Sequence, residues 1–325
     1  MNANHTSPAV SPQTWTADEL AAFSRKRIEH GSKSFAVAAR LFAPDVRASA
    51  YMLYAWCRHC DDEIDGQELG FNTAGAATAA TSACLNRLRE QTLAAVQGRA
   101  SEPIFLALQT VLAKHGIPER LPLDLIEGMA MDVREERYAT LQDTLRYSYH
   151  VAGCVGVMMA MIMGARERAT LDRACDLGIA FQLTNIARDV AADASVGRVY
   201  LPADWLAEAH VPLDGVDAPH NRAAVHSVTL RLLDEADRYY GSAYYGIAKL
   251  PARSALAIAA ARRVYSDIGN VVRESGADGA VRARVTSARK RWNLAKASVD
   301  MLAAKSARRL QLLPVASRDG LWTMP

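Results

Sequence analysis

Apolar residues recur along most of the chain at three- and four-residue intervals, the spacing of one buried face of an α-helix. Such stretches cover about 16–29, 44–65, 76–97, 102–115, 122–134, 141–164, 170–194, 222–249, 252–275 and 285–311. Their ends carry the expected punctuation. Thr16 and Glu19 have the spacing of a capping box, Pro44 suits the first turn of a helix that Gly66 would stop, and Gly116, Pro118 and Pro251 separate later segments. Gly31–Phe35 (GSKSF) interrupts the pattern, 66–75 reads as a loop, and 195–221 is the longest irregular stretch. Connections elsewhere are short, with no internal repeat, no long linker and no shift of composition. The pattern therefore predicts an all-α protein, a single-domain helical bundle over 16–311, with a loose arm at 1–15 and a tail at 312–325.

Composition sharpens this picture. Half of the 325 residues are hydrophobic, only 12 are Pro, and the frequent alanine is the best helix former. These values exclude a disordered chain, a collagen-like fibre and a small disulfide scaffold. The longest uncharged apolar run, Val151–Ala165, falls short of the ~20 residues a helical span needs, so it is expected to be a buried core helix. The first residues lack the basic start and apolar stretch of a signal peptide, and the last ones show no anchor. The expected location is cytoplasmic, with the apolar content packed inside, around something greasy. Five cysteines make an odd number without framework spacing, as in a reducing compartment. Cys57 and Cys60 form a lone CxxC with no second pair, read as buried helical thiols. A net charge of +3 gives no argument for nucleic acid.

Two polar stripes sit where helices should be apolar. The first holds Arg58, Asp61, Asp62 and Asp65 inside YMLYAWCRHCDDEID. Asp61 and Asp65 are four apart and stack one turn above the other, a like-charge pair that destabilises a helix unless a cation compensates. The second holds Gln182, Asn185, Asp189 and Asp193 in GIAFQLTNIARDVAAD. At about 100° per residue these four project within about 80° of one another; apart from Thr184 and Arg188, everything else from Gly178 to Asp193 is apolar. The ordinary alternative, a solvated helix face, serves for one such stripe better than for two with amides and arginines alongside. Carboxylates and amide oxygens are hard ligands that suit Mg²⁺, with Mn²⁺ as the alternative, bridging to phosphate oxygens; neither stripe offers the His or Cys set of a zinc site. Lys33 and Ser34, in a helix-breaking loop, can donate to phosphate, and Arg58 can neutralise a leaving phosphate. Tyr147, Val151 and Val155 recur every four residues with Gly156 beside them, either lining a channel for a long hydrocarbon or simply packing a core.

The residues DDEID (61–65), YSYHVAGCVG (147–156) and QLTNIARDVAAD followed by GRVYLP (182–202) resemble the squalene/phytoene synthases, the head-to-head condensing branch of the trans-prenyl diphosphate synthases, and within it the bacterial phytoene-forming members. The likeness runs from SKSF to the RV near 284. Cys154 stands where a branched apolar residue or Thr is expected. The resemblance implies a class I terpenoid-synthase bundle with a central cavity. It implies that Asp61, Asp65, Asp189 and Asp193 bind Mg²⁺, with Asp62 and Asn185 in support. Ser32, Lys33, Ser34, Arg58, Arg188, Tyr265 and Arg284 match positions around the diphosphates, and Tyr54, Gln182 and Tyr147 match positions near the reacting centre. Phe35, Val151, Val155 and Gly156 complete the expected substrate-binding set. The implied reaction joins two geranylgeranyl diphosphates through prephytoene diphosphate to phytoene, releasing two diphosphates, with no NADPH. The base is open between the released diphosphate and a tyrosine.

Two other readings stand beside this one: a C15-using relative making dehydrosqualene or squalene, which cavity depth would decide, and a non-catalytic scaffold of the same fold. Arg282, Arg284, Arg289, Lys290, Arg291 and Lys296, with no acid among them, form either a solvated face or a basic patch for peripheral docking on the inner membrane surface.

Overall fold

The computed structural model describes residues 15–31, 39–65, 67–68, 71–72, 82–277, 286, 289, 292–293, 296–299, 301–303, 306 and 317–325. Helix α1 is Ala17–Gly31, opened by the expected capping box: the Thr16 amide donates to Glu19 Oε2 at 2.8 Å and the Glu19 amide to Thr16 Oγ1 at 3.3 Å. Helix α2, Pro44–Asp65, begins at its proline as predicted. The expected loop after it contains a two-residue antiparallel ladder, Gln67–Glu68 (β1) with Phe71–Asn72 (β2), too short to change the all-α class. Then follow α3 (Ser82–Val96), α4 (Pro103–His115), α5 (Arg120–Val133) and α6 (Leu141–Ser148). Gly116 ends α4 in the left-handed conformation, φ 59°, the conformation glycine adopts without strain. The expected helix 285–311 and the GSKSF segment fall largely outside the described residues.

The single helix expected over 141–164 is three pieces. After α6, Tyr149–Gly153 forms a π-helical turn, and α7 runs Cys154–Ile162. Wide turns of this kind occur often at functional sites. Residues four apart over-rotate in an α-helix and under-rotate in a π-turn, so the insertion keeps Tyr147, Val151 and Val155 near one line. The irregular stretch 195–221 also holds structure: a short helix α9 (Ala203–Glu208) and two 3₁₀ turns.

Helix α8, Arg168–Ala194, is the axis of the bundle. It packs against α7 and the π-turn on one side and against α10 (Arg222–Ile247) and α11 (Ala252–Ser275) on the other. Two glycines set how near α7 approaches. A Cβ at Gly178 would stand 2.3 Å from the Ala152 carbonyl oxygen, and one at Gly156 would stand 2.4 Å from that of Ala174. The backbones thus cross in contact. Helix α2 packs on α5 and on α7, so both acid-bearing helices share α7 as a neighbour.

Residues 317–325 lie against the bundle. Arg318 donates to both oxygens of buried Asp176, at 2.9 and 2.8 Å, and Arg168 donates to the Met324 carbonyl at 3.0 Å. All five cysteines are free thiols, and burial pushes the Cys57 and Cys60 thiols up. No described helix is long and apolar enough to cross a membrane.

Candidate active site

Helix α2 buries Leu53, Trp56, Cys60 and Ile64. This sets Tyr54, Arg58 and Asp61 on a partly open side. Arg58 clamps two acids at once, reaching Asp61 Oδ2 at 3.0 Å and Asp62 Oδ1 at 2.9 Å. The Asp62 side chain is only 5% exposed while that of Asp61 is 48% exposed, so Asp62 anchors the arginine and Asp61 faces outward. Asp65 ends the helix. Its side chain, together with Ser32, Lys33, Ser34, Phe35 and Arg284, lies outside the described residues.

Helix α8 carries the second ridge as the spacing predicts. Leu177, Ile179, Ala180, Leu183, Ile186 and Ala187 are buried, while Gln182, Asn185, Arg188, Asp189 and Asp193 are partly open. Asn185 Nδ2 donates to Gln182 Oε1 at 3.4 Å. Arg188 Nε donates to Asp189 Oδ1 at 2.9 Å and its NH2 to Oδ2. Both ridges thus have the same construction, an arginine folded onto the acids of its own helix.

Asp193 shows what surrounds the ridge. Burial, then the charges of Asp189 and Asp132, push its carboxyl up to about 7, against the pull of Arg198 and Arg188. Acids gathered in a partly dry site favour a bound cation. Asn185 Oδ1 is buried with no hydrogen-bond partner, which is costly for a polar atom unless something fills its coordination. An unpartnered amide oxygen beside two carboxylates fits a hard divalent cation with oxygen ligands. Among the described residues no three acids, histidines or cysteines stand close enough to hold a metal alone, so a cation here would draw on amide oxygens and on a ligand's own oxygens.

Asp132 was not anticipated. It closes α5 and accepts from two phenols, Tyr147 OH at 3.0 Å and Tyr200 OH at 2.9 Å. The Tyr147 and Tyr200 rings are stacked at 4.8 Å, and Tyr138 joins them at 5.3 and 5.6 Å. Thr144 holds the Tyr200 carbonyl at 2.9 Å. Burial, and after it the Asp132 charge, raise the Tyr147 phenol well above its usual range, so it stays protonated. The sequence signal was present but faint: an acid ending the apolar run Gly128–Met131, and a tyrosine inside GRVYLP.

The remaining predicted residues divide. Tyr265 on α11 stacks on Phe181 at 4.2 Å and is close enough to Arg188 to influence its charge. Val151 and Val155 are half-buried, and Val151 packs over Gly128. Gly156 serves the α7–α8 crossing. A surface pocket of ≈ 510 Å³ lies elsewhere, between α10, α11 and residues 317–321, and none of the predicted site residues lines it.

A bundle with paired carboxylate–arginine ridges on two helices that share a neighbour has the architecture of a class I terpenoid synthase, a protein that binds diphosphates among acids and cations. Comparison with known proteins narrows the class. The family model described as squalene/phytoene synthase matches residues 28–292. A 15-cis-phytoene synthase of Paracoccus sp. is 49% identical over 94% of this chain and 98% of its own length, and one of Pantoea ananas is 53% identical over 76% and 80%. A crystal structure of a dehydrosqualene synthase in complex with ligand superposes with a TM-score of 0.79 at 25% identity, covering 88% of this chain and 98% of that one. A squalene synthase from Alicyclobacillus acidocaldarius, at 24% identity and TM-score 0.71 over 80% and 95%, shares the fold. The chain belongs to the squalene/phytoene synthase family.

Proposed function

We propose that this chain is a phytoene synthase, joining two molecules of geranylgeranyl diphosphate head to head through prephytoene diphosphate and releasing two diphosphates. The observation that carries the chemistry is the α8 ridge: Asn185 with its unpartnered oxygen, Asp189 held by Arg188, and Asp193 among further acids. The choice of the C20 substrate rests on relatives at 49% and 53% identity that are named 15-cis-phytoene synthase. The C15 alternative has behind it the more distant likeness, at 25% identity, to a dehydrosqualene synthase.

Asp61 and Asp65 on α2 and Asn185, Asp189 and Asp193 on α8 would hold Mg²⁺, with Asp62 in support. Bound there, the metal would offset the charge that develops on a leaving diphosphate. Arg58 and Arg188 each hold carboxylates of their own helix. A bound diphosphate offers them a stronger, doubly charged partner, so each arginine would turn from acid to phosphate and release a carboxylate oxygen as it does. Tyr265, beside Arg188, borders the same end. A wall of buried Tyr147 and half-buried Val151 and Val155 would keep water from the allylic cation, and aromatic faces would attract it. Loss of the two diphosphates and of two protons, one as the cyclopropane closes and one from the last cation, leaves a neutral C40 hydrocarbon, for which no reductant is required.

Purified protein incubated with C15 and C20 diphosphates, with and without Mg²⁺ and NADPH, tests the assignment. Phytoene from the C20 substrate is expected, needing Mg²⁺ and indifferent to NADPH. Asp189→Ala should abolish turnover while the helical circular dichroism persists. Failure of the C20 substrate to give any C40 product would sink the substrate assignment, and full activity of Asp189→Ala or in excess chelator would sink the metal site.

A further inference from the structure

We propose that Asp132 is a positioning residue of this site, acting through Tyr147 and Tyr200. The inference rests on the head-to-head reading and extends it to a residue that lies in neither acidic ridge. Three observations carry it. Both carboxylate oxygens of Asp132 accept a phenol hydroxyl, from Tyr147 at 3.0 Å and from Tyr200 at 2.9 Å. The two rings are stacked at 4.8 Å with 20° between their planes. The Arg198 amide, two residues before Tyr200, donates to the Asp193 carbonyl at 2.9 Å, which ties the segment carrying Tyr200 to the acid end of α8.

The chemistry follows from the direction of those hydrogen bonds. Each phenol donates its proton to Asp132, so what remains of each oxygen is lone pairs, and the ring faces stay rich in electrons. A carbocation forming beside a departing diphosphate is stabilised by such faces. A phenol free to rotate would instead point its positive hydrogen at the cation for part of the time. Asp132 removes that freedom from two rings at once. The three partners come from separate parts of the chain, α5, α6 and the segment before α9. The carboxylate therefore also fixes how these parts meet. An asparagine of the same size could accept from only one phenol while its amide donates toward the other.

Steady-state kinetics on Asp132→Asn, on the Tyr147→Phe/Tyr200→Phe double variant and on the triple variant separate positioning from plain stability. Asp132→Asn is expected to lower kcat about tenfold, the loss of one well-made charge-assisted hydrogen bond in a buried site, with KM for geranylgeranyl diphosphate within about twofold and prephytoene diphosphate accumulating. Added to the double-Phe background, Asp132→Asn should lower kcat by no more than about twofold, because residues acting as a unit are not additive. Unchanged kcat for Asp132→Asn, or an equal further loss in the double-Phe background, overturns the proposal. If Asp132→Asn loses its helical signal, Tyr200→Phe carries the test: it takes one phenol donor from Asp132 and leaves the Tyr147 hydrogen bond in place. A drop in kcat at constant KM is then expected, and wild-type kcat overturns the idea. Wild-type protein that makes no C40 product defeats the functional reading and this inference together, whereas active wild type with an indifferent Asp132→Asn defeats this inference alone.

Discussion

Arg318→Ala should remove a large share of the stability of the bundle although it lies outside both acidic ridges. Asp176 sits on α8 with its side chain wholly buried, and Arg318 is 18% exposed. The carboxylate accepts from Arg318 Nε at 2.9 Å and NH2 at 2.8 Å, and from the Ser242 hydroxyl, which in turn accepts from Arg173 at 2.6 Å. Removing one partner of a buried pair typically costs about 3–5 kcal/mol, because the other charge stays behind uncompensated. Arg173 remains close enough to feel the Asp176 charge and recovers part of that, so about 2–4 kcal/mol is expected. The Arg318 side chain also caps the Trp322 carbonyl at 2.8 Å, so the segment 317–325 should loosen with it. For a chain of this size the loss corresponds to a fall in thermal midpoint of roughly 3–6 °C. Chemical denaturation with calorimetry measures it. Asp176→Asn added to Arg318→Ala should restore part of the loss, since it neutralises the orphaned charge. A loss under about 1 kcal/mol for Arg318→Ala, or no recovery in the double variant, would mean that the buried pair is not what holds this segment.

Gly178→Ala should lose about 2 kcal/mol net, an overpacking cost of about 3 kcal/mol less the ~1 kcal/mol that alanine gains in a helix, because its Cβ would meet the Ala152 carbonyl oxygen at 2.3 Å. Gly241→Ala in α10 has nothing within 4 Å and should be neutral or stabilising; equal effects in the two variants would refute the backbone crossing. His115 is bonded to Ser49 Oγ at 2.8 Å, and burial, then the Lys114 charge, depress its pKa below the ordinary 6.5, with Asp45 opposing. The unfolded chain therefore binds more protons there, so this stability is present above about 6.5 and is lost as pH falls towards the folded value. His115→Gln should flatten the decline in unfolding free energy between about pH 7 and pH 5, and a slope identical to wild type would exclude His115 as its source.

What the sequence discloses about this site depends on how many helices a feature needs. The α8 ridge was legible because Gln182, Asn185, Asp189 and Asp193 lie on one helix. Four polar residues at helical spacing in an apolar run announce themselves locally, and the structure keeps them on one partly open face. The arginine beside each acid was legible for the same reason, since Arg58–Asp62 and Arg188–Asp189 are contacts within one or two turns. The π-turn was not, because the apolar pattern through YHVAG reads the same for an α-helix, and the close approach of the Ala152 carbonyl to Gly178 is a tertiary feature that this pattern does not encode. Asp132 and Asp176 were missed for a related reason. Each takes its meaning from partners 15 to 142 positions away, and an isolated acid, whether near the end of α5 or inside α8, carries no sign of such partners. Residues whose partners come from distant parts of the chain are therefore the ones a single sequence hides. The acids proposed to bear the chemistry are spaced by the helix they sit on, whereas Asp132, proposed to orient the wall around it, is placed by the packing of helices against one another.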